Sequence, residues 1–157
     1  MLTLPRDIGA LIKAGALARI PEVITAGAGN DGVEVAGPEI DRLVDLAEPC
    51  LSAIIAICWS ATLAEGETLT LLGNLQDDTT TGMATAVADH GDALASAVVA
   101  TGPSGGGTVN GCTLFTVDLS DARQFIRLQS TANLSAANTD TVDIAAMILF
   151  GGAHQLP

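Results

Sequence analysis

The feature that most constrains the fold is a strict two-residue alternation in residues 51–63. Every odd position is apolar, whereas the even positions mix Ser, Thr and Cys with Ala and Ile. Successive side chains of a β-strand point to opposite faces of the sheet, so this period places one face against a core and leaves the other in a mixed environment. The segment is therefore predicted to be a half-buried strand.

The same alternation recurs along most of the chain and is interrupted by turn residues. Further strands are predicted at 68–75, 93–101, 112–119, 123–131 and 141–150. Seven or eight strands with no strand–helix alternation predict an all-β fold, an antiparallel β-sandwich of jelly-roll or immunoglobulin-like type. We assign residues 30–157 to this domain and residues 1–29 to an N-terminal arm or short helix.

The stretch TAGAGNDGVEV contains Gly27-x-Gly29-x-x-Gly32, the spelling of a dinucleotide-binding loop. That spelling works only where a helix begins at the glycines, so that the helix N-terminus meets a pyrophosphate. Here Val33 and Val35 continue with period two, and Pro38 opposes a helix. The pattern predicts a turn before a strand rather than a cofactor site.

The charge is strongly negative and unevenly placed. The formal net charge is −12, and no Lys or Arg lies between Leu43 and Ala122. Such a body repels phosphate, which excludes nucleic acid and disfavours an anionic membrane as partners. Most cations lie near the start of the chain, and we predict Arg6, Lys13 and Arg19 as partner-binding residues on an arm. The alternative is a chance distribution without function.

Residues for chemistry are sparse, and no enzyme, cofactor, metal site or small-molecule substrate is predicted. Cys50, Cys58 and Cys112 lack zinc-type spacing and are interpreted as small buried hydrophobic residues. His90 and His154 are interpreted as surface histidines, since no nucleophile motif accompanies either of them.

Several segments of residues 30–157 carry a resemblance to a known class of proteins. They are LAEGETLTLLGNLQDD (63–78), VVATGPSGGG (98–107), FTVDLSDARQFIRLQSTANLSAANTDT (115–141) and ILFGGAHQLP (148–157). In these segments the chain resembles the small capsid decoration, or cement, proteins of tailed bacteriophages.

The resemblance implies a structural virion protein that is made in the host cytoplasm and binds the outer surface of an icosahedral capsid. Its implied partner is the major capsid protein, whose neighbouring subunits it would brace, often as a homotrimer and with an N-terminal arm. An acidic body suits the outside of a shell, away from packaged DNA. Two alternatives stay open, a phage tail or neck component and a module that binds host glycans.

Overall fold

The structure is a computed structural model that describes residues 11–46, 50–85, 87–136 and 139–153. From Ile12 onwards, every regular element within these ranges is a β-strand. The strands are β1 (Ile12–Thr25), β2 (Glu34–Ala36), β3 (Ile40–Asp41), β4 (Cys50–Leu63), β5 (Thr68–Asp78), β6 (Ala88–Thr101), β7 (Gly107–Asp118), β8 (Phe125–Leu134) and β9 (Thr141–Ala153). No helix long and apolar enough to cross a membrane occurs within these ranges.

The strands form two antiparallel sheets that pack as a sandwich. Sheet A has the order β1-β9-β4-β7, and sheet B has the order β2-β8-β5-β6, with β3 also paired to β8. The predicted all-β antiparallel sandwich is therefore confirmed. The strand at 51–63 is also confirmed, as β4, with its odd residues from Ala53 to Leu63 buried.

The pairing pattern is nested, as in a long hairpin that has been rolled up. The first strand pairs with the last, β2 and β3 pair with β8, β4 pairs with β7, and β5 pairs with β6. Two further pairings, of β9 with β4 and of β8 with β5, complete the sheets. This connectivity is that of a jelly roll rather than of an immunoglobulin-like sandwich.

The start of the chain does not form a free arm where the structure describes it. Residues 12–25 are β1, an edge strand of sheet A paired with β9 from Thr25 back to Ile12. Residues 12–25 therefore do not form the predicted arm or short helix, because their backbone groups pair with β9 as an edge strand. Residues 1–10 of the predicted arm lie outside the described residues.

The glycine stretch is a turn that connects β1 to β2, as predicted. Gly27 and Gly32 adopt positive φ angles of 71° and 69°. The Gly27 N–H donates to Asp31 Oδ2 at 2.8 Å, and the Leu134 N–H donates to Asp31 Oδ1 at 2.9 Å. One carboxylate thus holds the turn closed and fastens it to the end of β8.

Several acidic side chains hold other loops in the same way. Asp78 accepts hydrogen bonds from the backbone N–H groups of Thr80 and Thr85, at 3.0 and 3.2 Å. Glu65 accepts one from the Gly105 N–H at 2.9 Å. Short carboxylates commonly replace backbone partners in this manner. Part of the unusual acidic content therefore stabilises the connections of the jelly roll.

Candidate interaction surface

The outer face of sheet A, which points away from the core, is the most distinctive surface of the molecule. Strand register places its residues in six rows that run across the sheet from β1 through β9 and β4 to β7. The rows are Ile12, Gly151, Ser52 and Asp118; Gly15, Leu149, Ile54 and Thr116; Leu17, Met147, Ala56 and Leu114; Ala145, Cys58 and Cys112; Val23, Asp143, Ser60 and Asn110; and Thr25, Thr141, Thr62 and Thr108.

The second, third and fourth of these rows carry no charged residue, and we call them the apolar rows. Leu17 is 46% exposed, Met147 47% and Leu114 62%, and the three lie in one line across the sheet with Ala56 between the last two. Isolated exposed apolar residues are ordinary, but a contiguous group marks a contact surface in many proteins. The apolar rows are such a group.

The outer face becomes polar towards both of its ends. The last row consists of four threonines, and Thr62 and Thr108 are joined through their hydroxyls at 3.0 Å. Asp118 lies in the first row and Asp143 in the fifth, one on each side of the apolar rows. Hydrogen bonds from Ser120, the larger from its backbone N–H, lower the pKa of Asp118, so this carboxylate stays charged over an extended acidic range. An apolar centre with a polar rim is the usual anatomy of a protein–protein interface.

The size of the face fits a protein partner. Each position on the face occupies about 4.8 Å across the strands and about 7 Å along them, so four strands by six rows give about 800 Å² in projection. A standard interface buries about 800 Å² on each partner. The apolar rows supply about half of this area, so the polar rows must take part in any contact of standard size.

The outer face of sheet B differs in character. Asn74 donates to Asp89 at 2.6 Å, and Arg127 donates to Gln76 at 2.9 Å, so polar side chains are linked across neighbouring strands. Leu72 is 39% exposed there, but its cross-strand partner on β8 is a threonine. The outer face of sheet B can therefore serve as a control in tests of any contact that depends on the apolar area of sheet A.

Arg19 was predicted to bind a partner, and the structure places it in the interior instead. It is 1% exposed, and its guanidinium donates to Ser130 Oγ at 2.7 Å and to the Ser130 carbonyl at 3.0 Å. It also forms an ion pair with Glu22. A register irregularity of β1 on either side of Arg19 interrupts the alternation and turns the side chain towards sheet B. Arg19 therefore joins the two sheets and is not available to a partner.

The other two predicted partner-binding residues lie elsewhere. Lys13 is exposed near the beginning of β1, beside the first row of the outer face. Arg6 lies outside the described residues. The structure thus leaves Lys13 at the border of the candidate surface and brings neither Arg6 nor Arg19 to it.

His90 is not the surface residue that was predicted. Its side chain is 14% exposed, its Nε2–H donates to the Asp118 carbonyl at 2.7 Å, and its Nδ1 lies 3.5 Å from Asp77 Oδ2. The Arg123 N–H donates to the same Asp77 oxygen at 2.9 Å. The His90 Nε2 atom, which would have to accept a proton from a nucleophile, already donates to the Asp118 carbonyl. The contacts of His90, Asp77 and Arg123 therefore stabilise one end of the sandwich. His154 lies outside the described residues.

The cysteines divide into two kinds. Cys50 is buried, as predicted, whereas Cys58 and Cys112 are exposed. The prediction was wrong for these two because each occupies the outward phase of its strand, Cys58 on β4 and Cys112 on β7. Among the described residues, no group of three or more His, Cys, Asp or Glu is arranged to hold a metal ion.

Trp59 faces the core and is 8% exposed. It packs directly on Gly111 of β7, where an added Cβ would lie 2.3 Å from the indole Cζ2. The indole therefore does not present the open aromatic platform that a sugar ring stacks on.

Comparisons with known proteins give little further information. No protein-family model matches the chain, and no curated protein matches it. The chain is similar to a solved structure described as "Structure of infectious bursal disease virus Gx strain", with a TM-score of 0.40 and 14% sequence identity. The similarity covers 90% of this chain and 32% of that chain, so this chain spans about a third of its length. A similarity at this level assigns neither a family nor a function.

Proposed function

We propose that the chain is a structural protein of a virion and acts by contact with other proteins rather than by catalysis. In its specific form, the proposal is a decoration protein that binds the outside of an icosahedral phage capsid and braces neighbouring subunits. The major capsid protein would be the partner, and a homotrimer the form that binds. The observation that carries the proposal is the set of apolar rows on the outer face of sheet A.

The charge of the molecule supports a protein partner over other classes. The net charge of −12 opposes binding to nucleic acid or to an anionic membrane. The apolar rows form an uncharged centre with Asp118 on one side and Asp143 on the other, so a complementary partner has an apolar centre and a neutral or basic rim. Such complementarity fixes the orientation of docking and rejects wrong partners.

The topology agrees with this role at the level of the fold. Jelly rolls occur in viral capsid domains, in lectins and in cupins. Since one fold serves many functions, the fold supports the proposal only by analogy. The apolar rows on sheet A are the stronger support. Repetition on a symmetric lattice would let a modest contact area give firm attachment, because many weak sites act together.

The test is co-sedimentation with capsids of the encoding phage that lack the protein. Leu114→Glu and Met147→Glu each place a charge in the third row, and we expect each to reduce binding at least tenfold because a charge is desolvated at the contact. Leu72→Glu is the matched control, since it adds the same charge on the outer face of sheet B. Circular dichroism and a thermal melt establish that all three variants are folded.

The result discriminates between the candidate roles. Undiminished binding by both third-row variants would exclude the outer face of sheet A as the capsid contact. A protein that fails to bind capsids but purifies with tails or necks would support the tail component, and affinity on a glycan array would support the glycan-binding module. Sedimentation equilibrium of the free protein tests the homotrimer.

A further inference from the structure

Two of the three cysteines lie side by side on the outer face of sheet A. Cys58 of β4 and Cys112 of β7 are direct partners in the antiparallel register, and both are exposed. This pair is used neither by the core nor by the loop network.

Direct pairing across two antiparallel strands brings two residues close to the separation that a disulfide needs. Residues directly opposite each other in an antiparallel pair have Cβ atoms about 4.5–5.5 Å apart, and a disulfide requires about 3.5–4.5 Å. Closure therefore needs an approach of about 1 Å. The strand β7 is at the edge of sheet A, and the residue beside Cys58 on β9 is Ala145, so neither side is blocked by a large side chain.

We propose that Cys58 and Cys112 form a thiol–disulfide exchange site, which closes to a cross-strand disulfide on reaction with a small-molecule disulfide of the glutathione type. The Cys58 thiolate attacks one sulfur of glutathione disulfide, a mixed disulfide forms, and one glutathione thiolate leaves. The Cys112 thiolate then attacks the Cys58 sulfur and releases the second glutathione. The protein loses two electrons and two protons, and one glutathione disulfide becomes two glutathione thiols.

The order of the two attacks follows from the surroundings of Cys112. Partial burial of its thiol and the hydrogen bond to Cys58 raise the pKa of Cys112 to about 11. Only the thiolate is nucleophilic, so Cys112 reacts slowly with an external disulfide. Once a mixed disulfide is present on Cys58, the reaction of Cys112 is intramolecular, and proximity compensates for the small thiolate fraction.

Formation of the Cys58–Cys112 disulfide would have two structural consequences. A disulfide here would link β4 to the edge strand β7 and enclose the long segment between them, which restricts the unfolded chain. It would also replace two thiols in the fourth row of the outer face. The exchange reaction itself does not depend on the proposed function, and it can be measured on the free protein.

The test uses the Cys50→Ser variant, in which Cys58 and Cys112 are the only thiols. The reduced protein is incubated at pH 8.5 with glutathione buffers of increasing disulfide content, quenched with acid and analysed by intact mass and peptide mapping. We expect a monomer that has lost two hydrogens, with a peptide joining Cys58 to Cys112 and a melting temperature raised by about 5–15 °C. Wild-type protein mapped in parallel gives the same linkage if the substitution has not disturbed the fold.

Two further variants identify the mechanism. Cys112→Ser should stop at the glutathione adduct of Cys58, and Cys58→Ser should react more slowly at Cys112, because the partial burial that is the largest cause of the raised pKa of Cys112 remains in that variant. Stable double glutathione adducts, or a disulfide that joins two chains, would overturn the proposal. So would thiols that remain reduced in folded protein while the urea-unfolded chain oxidises in the same buffer.

Discussion

Replacing Arg19 by methionine separates the structural role of this residue from the partner-binding role that the sequence favoured. The substitution keeps a long apolar stem, so most of the packing against the core is retained. It removes the donors that reach Ser130 Oγ at 2.7 Å and the Ser130 carbonyl at 3.0 Å, together with the ion pair to Glu22. The variant therefore tests what the buried guanidinium contributes.

The expected cost follows from the exposure of the groups that lose their partner. Ser130 is 3% exposed, and a buried polar group without a partner costs about 1–3 kcal/mol. The Glu22 side chain is 27% exposed and can be hydrated in the variant, so the lost ion pair contributes little to the decrease in the free energy of unfolding. Removing one member of a fully buried ion pair costs about 3–5 kcal/mol, and the partial exposure of Glu22 lowers the expected cost of Arg19→Met to about 2–4 kcal/mol.

Urea unfolding measures the change in the free energy of unfolding directly. We expect a lower midpoint concentration of urea and an unchanged m-value. Arg127→Met is the matched control, because Arg127 donates to Gln76 on the outer face of sheet B and should lose less than about 1 kcal/mol. A double-mutant cycle with Ser130→Ala should show a coupling of about 1 kcal/mol or more. If Arg19→Met and Arg127→Met lowered the free energy of unfolding by equally small amounts, the structural assignment of Arg19 would be refuted.

Two other substitutions test the packing of the sandwich. Gly111→Ala should destabilise the fold by about 1–3 kcal/mol in urea unfolding, since the new Cβ meets the Trp59 ring at 2.3 Å; an unchanged midpoint would show that the indole can move aside. Arg42→Lys should cost about 1–3 kcal/mol in the same assay. The Arg42 guanidinium donates to four backbone carbonyls, including those of Cys50 and Leu119, and an ammonium with three donors cannot reproduce that fork. A stable lysine variant would mean that these carbonyls find other donors.

The strands from β4 to β9 were predictable because local alternation encodes them, whereas β1 and the order of the strands were not. The period of β4 identifies which face is buried, whatever it pairs with. The choice between a jelly roll and an immunoglobulin-like sandwich depends on which distant strands pair, and turn residues do not specify that. The nested pairing of β1 with β9 and of β4 with β7 can be seen only in the three-dimensional structure.

Arg19, His90 and two of the cysteines were misjudged, and the physical reasons differ. Arg19 lies in the outward phase only if the alternation of β1 is continuous, and the irregularity around it reverses that phase. His90 looked exposed because acidic neighbours surround it in sequence, but its ring lies against Asp77 and the end of β7. Cys58 and Cys112 could have been assigned to the outer face from the phase of their own strands, and their pairing could not.

The distribution of charge and the position of the apolar rows are connected. Carboxylates such as Asp31, Asp78 and Glu65 hold backbone N–H groups of the loops, which places negative charge at the connections and not on the centre of sheet A. Two copies of a chain with a net charge of −12 repel each other at a distance, which weakens non-specific association through an exposed apolar surface. A partner with a neutral or basic rim does not meet this repulsion. In the proposed function, the same acidic residues that close the loops therefore favour a complementary protein at the outer face of sheet A.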